Sequence, residues 1–152
     1  PEAAFSTRDA GFMEKTATKS AVDIMSFDAV SESEAGYEFE LKSKDEITGT
    51  GVFVTVLGKH ADSVNKWVTK IVNTQIRENQ IAARKGKQVD PKSLEEIKEQ
   101  NIEGAVLRVT GWRNVSQPFS KELLTTVLKR NPHFIDQIIQ ESDNLGNFTQ
   151  AQ

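Results

Sequence analysis

Three runs decide the fold: Tyr37-Glu38-Phe39-Glu40-Leu41-Lys42, then Val52-Phe53-Val54-Thr55-Val56-Leu57-Gly58, then Asp62-Ser63-Val64-Asn65-Lys66-Trp67-Val68. The first alternates apolar with charged residues, the period of two that marks a half-buried strand. The second is a short β-branched run ending at a glycine. Between them lie Asp45, Thr48, Gly49 and Gly51, which is turn chemistry, so the two runs pair as a β-hairpin with a loop of about eight residues. An isolated hairpin is marginal in water and must pack on helices or on another copy. From Asp62 the apolar residues recur with a helical period instead, and the chain stays helical in pattern to its end.

Four helices are expected. In the first, Val64, Trp67, Val68, Ile71, Val72 and Ile76 share one face, with Lys66, Lys70 and Arg77 toward the other. That face predicts burial, and Trp67 is expected in the core. Asp62 or Ser63 is the expected cap, and Arg84-Lys85-Gly86 the end. A helix of ~24 residues reaches about 36 Å, and its polar second half (Glu78, Asn79, Gln80, Arg84) is expected to meet solvent or a neighbour. The second helix begins at Asp90-Pro91 as cap and first residue, carries a stripe of Leu94, Ile97, Ile102, Val106 and Val109, and stops at Gly111. Gly104 inside it permits close packing or marks a break. Ser120 caps the third, with Leu123, Leu124, Val127 and Leu128 inward. Asn131-Pro132 starts the fourth, with Phe134, Ile135, Ile138 and Ile139 inward and Gly146 as the stop. The expected class is α+β, mostly α: an N-terminal β-hairpin followed by about four helices.

The 152 residues divide into an acidic, flexible segment 1–35, a single domain over 36–148 and a polar tail 149–152. Met13 would serve as a natural start, which leaves 1–12 as upstream or added sequence. Residues 26–35 read as an acidic, Ser-rich connector. Charge is unevenly spread. Residues 1–58 hold 5 Lys+Arg against 11 Asp+Glu, whereas residues 59–90 hold 7 against 3. An acidic head beside a basic helix suits either intramolecular pairing or head-to-tail contact between copies.

Most chemistry is excluded. With no cysteine there is no disulfide, thiolate metal site or Cys nucleophile. His60 and His133 have no partner at metal-ligand spacing, so neither a metal nor a cofactor is expected. Gly49-Thr50-Gly51 lies between strands and lacks the lysine of a phosphate loop. Arg84-Lys85-Gly86-Lys87 has no interleaved aromatics and stands in an acidic chain, so nucleic acid is not the expected partner. No apolar run approaches the ~18 residues that span a bilayer. No pair of carboxylates stands out for acid–base work, so an enzyme is not expected. What remains is aromatic. Trp112, Phe119 and Phe148 stand at the joints between helices, each able to pin the module's own loops or to anchor a partner.

The order of short motifs from Thr110-Gly111-Trp112 through Pro118-Phe119-Ser120, Leu123-Leu124 and Asn131-Pro132 to Asn147-Phe148 resembles the C-terminal part of the phage tail assembly chaperones of long-tailed bacteriophages. The hairpin ending in Val54-Thr55-Val56-Leu57-Gly58, leading into a long polar helix, resembles that family too. The likeness covers roughly residues 36–148. It departs at residues 1–35, which are longer and more acidic, and at the loop 113–117, which lacks acidic residues after the tryptophan. The resemblance implies a non-enzymatic protein of the host cytoplasm. It would bind the tape-measure protein, and tail-tube subunits in addition, before the tail polymerises, and it would form homo-oligomers. A structural virion component, a tail-completion or connector protein, is the alternative use of the same small domain.

Overall fold

A computed structural model of the chain describes residues 20–149. The expectations for residues 1–19 and 150–152 therefore lie outside the described residues. A 3-10 turn at Ile24–Ser26 leads to helix α1 (Ala29–Ala35), which falls in the stretch read as a connector. Asp28 caps it by accepting the Ser31 N–H at 3.0 Å. β1 (Tyr37–Lys42) and β2 (Gly49–Val56) form the expected hairpin. Its turn is organised by Asp45, whose carboxylate accepts the Ile47 and Thr48 N–H groups at 2.8 Å and the Ser43 hydroxyl at 2.9 Å. Four helices follow: α2 (Asp62–Arg84), α3 (Leu94–Arg108), α4 (Lys121–Arg130) and α5 (Pro132–Asp143). The class is α+β with helix predominant, as the periods indicate.

Between α3 and α4 the structure departs from expectation. Val109–Arg113, read as the end of a helix stopping at Gly111, is a strand, β3. It pairs antiparallel with β2, so that the sheet order is β1-β2-β3 with β2 central. The physical reason is that Val109 satisfies both patterns. It continues the α3 stripe, yet Val109, Thr110 and Trp112 are also residues suited to a pleated surface, and β2 has a second edge to offer. Pairing starts where α3 ends, with the Leu57 N–H donating to the Arg108 carbonyl at 2.7 Å. The start of α3 also differs. Asp90-Pro91 lies outside the helix, and Ser93 is the cap, its hydroxyl accepting the Glu96 N–H. Ser120 caps α4 as expected, accepting the Leu123 N–H at 3.0 Å.

The inner face of the sheet packs on α3, α4 and α5. Leu41, Val54 and Val56 come from the strands, Ala105 and Val109 from α3 and its continuation, and Leu124, Leu128, Ile135 and Ile138 from α4 and α5. Val109, Leu124, Leu128, Ile135 and Ile138 are positions that the helical period placed inward, whereas Leu94 and Ile97 of the same expected stripe in α3 lie exposed, before the helix reaches the sheet. Gln137 of α5 accepts the Lys42 N–H at 2.7 Å and donates to the Lys42 carbonyl at 2.9 Å, covering part of β1's outer edge. At the other end of the core, the Ser142 hydroxyl donates to the Leu57 carbonyl at 2.7 Å and accepts the Arg108 Nε–H at 3.1 Å. Arg108 donates further to the Gly104 carbonyl at 2.8 Å. Burial lowers the Arg108 pKa, partly opposed by the charge of Asp143. Through these bonds the guanidinium links α3 to α5, and the Ser142 hydroxyl carries the link on to the end of β2.

Candidate protein-binding surface

Trp112, Phe119 and Phe148 do not form one site. Trp112 stands opposite Val54 on the inner face of the sheet, and Phe119 meets it edge to face with ring centroids 5.1 Å apart. The Trp112 Nε1–H donates to the Gln117 carbonyl at 2.9 Å, so the indole holds the loop 114–120 onto the sheet. Both rings are half-buried. Beside Trp112 lies a cavity of about 150 Å³ whose walls include Val52, Leu123, Val127 and Phe134. Phe148 lies elsewhere. It is 3% exposed and packs edge-on against Tyr37 at 6.1 Å. A Cβ on Gly58 would stand 2.8 Å from the Ser33 Cβ and 3.1 Å from the Phe148 ring, so glycine lets Ser33 and Phe148 close over the chain there. Of the two readings open for Phe148, the structure places it as a lid on its own domain.

The outer face of the sheet is charged. Arg113 lies 4.2 Å over the Phe53 ring and pairs with Glu38 at 2.8 Å. The guanidinium holds the Glu38 carboxyl below its ordinary range. Among the described residues no group of three or more His, Asp or Glu is placed to hold a metal ion. His60 is exposed, and His133 packs at 4.3 Å against Phe134. No helix among them is long and apolar enough to cross a membrane.

The largest departure from expectation is α2. Its apolar face is correctly located, but of its side chains only Val64 is buried, and no α2 residue belongs to the core cluster. The helix pairs with α3 as an arm leaving the domain. Its start is not capped by Asp62 or Ser63. The Asp62 N–H donates instead to the Glu34 carboxylate of α1. Trp67, expected in the core, is half-buried at the base of the arm. Its Nε1–H donates to Glu103, and the Arg108 guanidinium lies 5.7 Å from its ring. Gly104 faces the same ring. A Cβ there would stand 2.7 Å from the indole, which resolves the Gly104 alternatives in favour of close packing.

Beyond Trp67 the arm carries no core. Val68, Val72 and Ile76 recur every fourth residue as a ridge, each between 41% and 50% exposed. Ile97 of α3 rises beside them, and Ile71, Val72, Ile76 and Ile97 line a groove of about 350 Å³ with Lys92 at its edge. Isolated exposed aliphatics are ordinary; an aligned row of them beside a groove is a candidate interaction surface. Sequence reasoning missed this site because it assigned the stripe to the core. The signal was present in the spacing 68, 72, 76 and in the polar composition of the helix beyond it.

A second exposed apolar segment precedes the hairpin. Val22, Ile24, Met25, Phe27 and Val30 are each between 53% and 82% exposed. Comparison with protein-family models, with curated proteins and with solved structures yields no match.

Proposed function

We propose that the chain is a non-enzymatic phage tail assembly chaperone that shields the tape-measure protein before tail polymerisation in the host cytoplasm. The observation that supports this reading is the α2–α3 groove, where Val72 and Ile76 face Ile97, continued along α2 by the exposed Val68 at helical spacing. Such a row fits the apolar stripe of an amphipathic client helix, engaged at i, i+3 and i+4 positions. The ordered motifs from Thr110-Gly111-Trp112 to Asn147-Phe148 support it independently through their resemblance to that family. In this reading Trp112 and Phe119 hold the loop beside the sheet, and the small cavity there accepts at most a single client side chain. Tail-tube subunits are a second client.

Co-expression with the tape-measure protein tests it. The expected result is co-purification, weakened at least about tenfold, or 1.4 kcal/mol, by Val72→Asp with Ile76→Asp. Both positions are exposed, so far-UV circular dichroism stays unchanged. Absence of the complex, or a complex indifferent to both substitutions, overturns the reading. The chain should also be missing from mature particles by mass spectrometry; its presence there would make it a structural component.

A further inference from the structure

We propose that the cavity beside Trp112 is a binding site for a small, uncharged hydrophobe the size of a single ring. Its volume is about 150 Å³, and an apolar cavity of roughly that size stays dry and takes one benzene molecule. Leu124 and Leu128 belong to its buried floor, and Val52, Val115 and Val127 to a half-buried rim that opens it to solvent. Of its eleven lining residues only Trp112 and Gln117 carry polar side-chain atoms, and none is charged. Those polar atoms are engaged elsewhere. The Trp112 Nε1–H donates to the Gln117 carbonyl, and the Gln117 side-chain oxygen accepts the Ser116 hydroxyl. A charged or strongly polar ligand would therefore lose its hydration on entering and gain no partner in return. Volume and lining together select an apolar ring or a compact branched alkane.

The fold holds this space open. Protein interiors pack to the density of organic crystals, so a neighbouring side chain ordinarily closes a void of this size. Here the rim positions Val52, Val115 and Val127 carry short side chains. The Trp112 indole cannot turn inward without giving up its 2.9 Å hydrogen bond to Gln117 and its edge-to-face contact with Phe119 at 5.1 Å. Ser120 fixes the start of α4, which brings Leu123 and Val127 to the cavity wall. A pocket shaped in advance costs little ordering when a ligand enters. It shares no lining residue with the α2–α3 groove. A ligand here displaces at most the one client side chain that the cavity can hold, and it leaves the groove free.

Methyl NMR of the intact chain, titrated with benzene, tests the site. The expected result is saturable shifts, with intermolecular nuclear Overhauser contacts from benzene to the methyls of Val52, Leu123 and Val127. The melting temperature should rise as the site fills. Phenol, whose hydroxyl would be buried without a partner, should bind at least about tenfold more weakly, and benzoate should not bind. Val127→Phe and Val52→Phe each place a ring of the protein's own in the cavity, and each should abolish the benzene contacts while the amide fingerprint stays folded. Where neither variant folds, the contacts in the native chain decide alone. Absence of contacts to those three methyls overturns the proposal. So do shifts that rise linearly and fall equally on Val68, Val72 and Ile76, which would mean adsorption to exposed apolar surface. Benzoate binding as tightly as benzene, or benzene contacts that survive in both folded variants, overturns it too.

Discussion

Phe148 offers the sharpest stability test, because its two readings differ by several kcal/mol. The ring is 3% exposed, meets Tyr37 edge-on at 6.1 Å and closes over Gly58. Truncating a buried Phe to Ala costs about 3–5 kcal/mol, the lost transfer energy plus the cavity left behind. The edge-to-face pair with Tyr37 accounts for about 0.5–1.5 kcal/mol of that. A single domain is stable by only ~5–15 kcal/mol, so Phe148→Ala should lower the melting temperature by roughly 10–20 °C. Urea unfolding, followed by tryptophan fluorescence and circular dichroism, measures it as a lower midpoint at unchanged slope. A surface hook behaves otherwise, since substitutions away from buried features stay within about 0.5 kcal/mol. An unchanged midpoint combined with lost partner binding would refute the placement of Phe148 as a lid.

Gly104→Ala should destabilise the chain by about 1–3 kcal/mol, the usual range for forcing extra volume into a packed contact. Helix propensity alone would give a gain of ~1 kcal/mol; the sign reverses because the new Cβ would stand 2.7 Å from the Trp67 ring. Thermal unfolding decides the sign, and a stabilised variant would show that the indole moves aside freely. Acid should loosen the hairpin turn first. Hydrogen bonds from Thr48, Ile47 and Ser43 hold the Asp45 carboxyl far below its ordinary value. A carboxyl depressed on folding contributes stability that is full above its unfolded pKa and is lost as pH falls below it. Amide exchange at Ile47 and Thr48 should therefore accelerate as pH is lowered below about 4, after correction for the intrinsic rate. Asp45→Asn should abolish that dependence, and pH-independent protection would refute the role of the carboxylate.

Much of this fold is legible in the chain because local periods carry it. Tyr37, Phe39 and Leu41 alternate and form a strand; Leu124, Leu128, Ile135 and Ile138 recur helically and fill the core. Ser120 and Gly86 mark helix boundaries through chemistry that acts within a few residues. Val109–Arg113 was not legible. Its side chains suit a strand and a helix end alike, and only the unpaired edge of β2, some 55 residues earlier in the chain, settles the matter. The Glu34 cap on α2 is hidden for the same reason, since donor and acceptor lie 28 residues apart.

The candidate surface marks the division most clearly. By itself the sequence determined that Val64, Trp67, Val68, Ile71, Val72 and Ile76 share a face, because that follows from 3.6 residues per turn. Whether a face is covered depends on what the rest of the chain brings to it. The sheet, α4, α5 and the second half of α3 close a core among themselves, so the near end of α2 is sheltered at Val64 and Trp67 while Val68, Val72 and Ile76 stay in water. Amphipathic period is a property of a segment and burial a property of the whole molecule; a candidate surface is found where the first is present and the second is withheld.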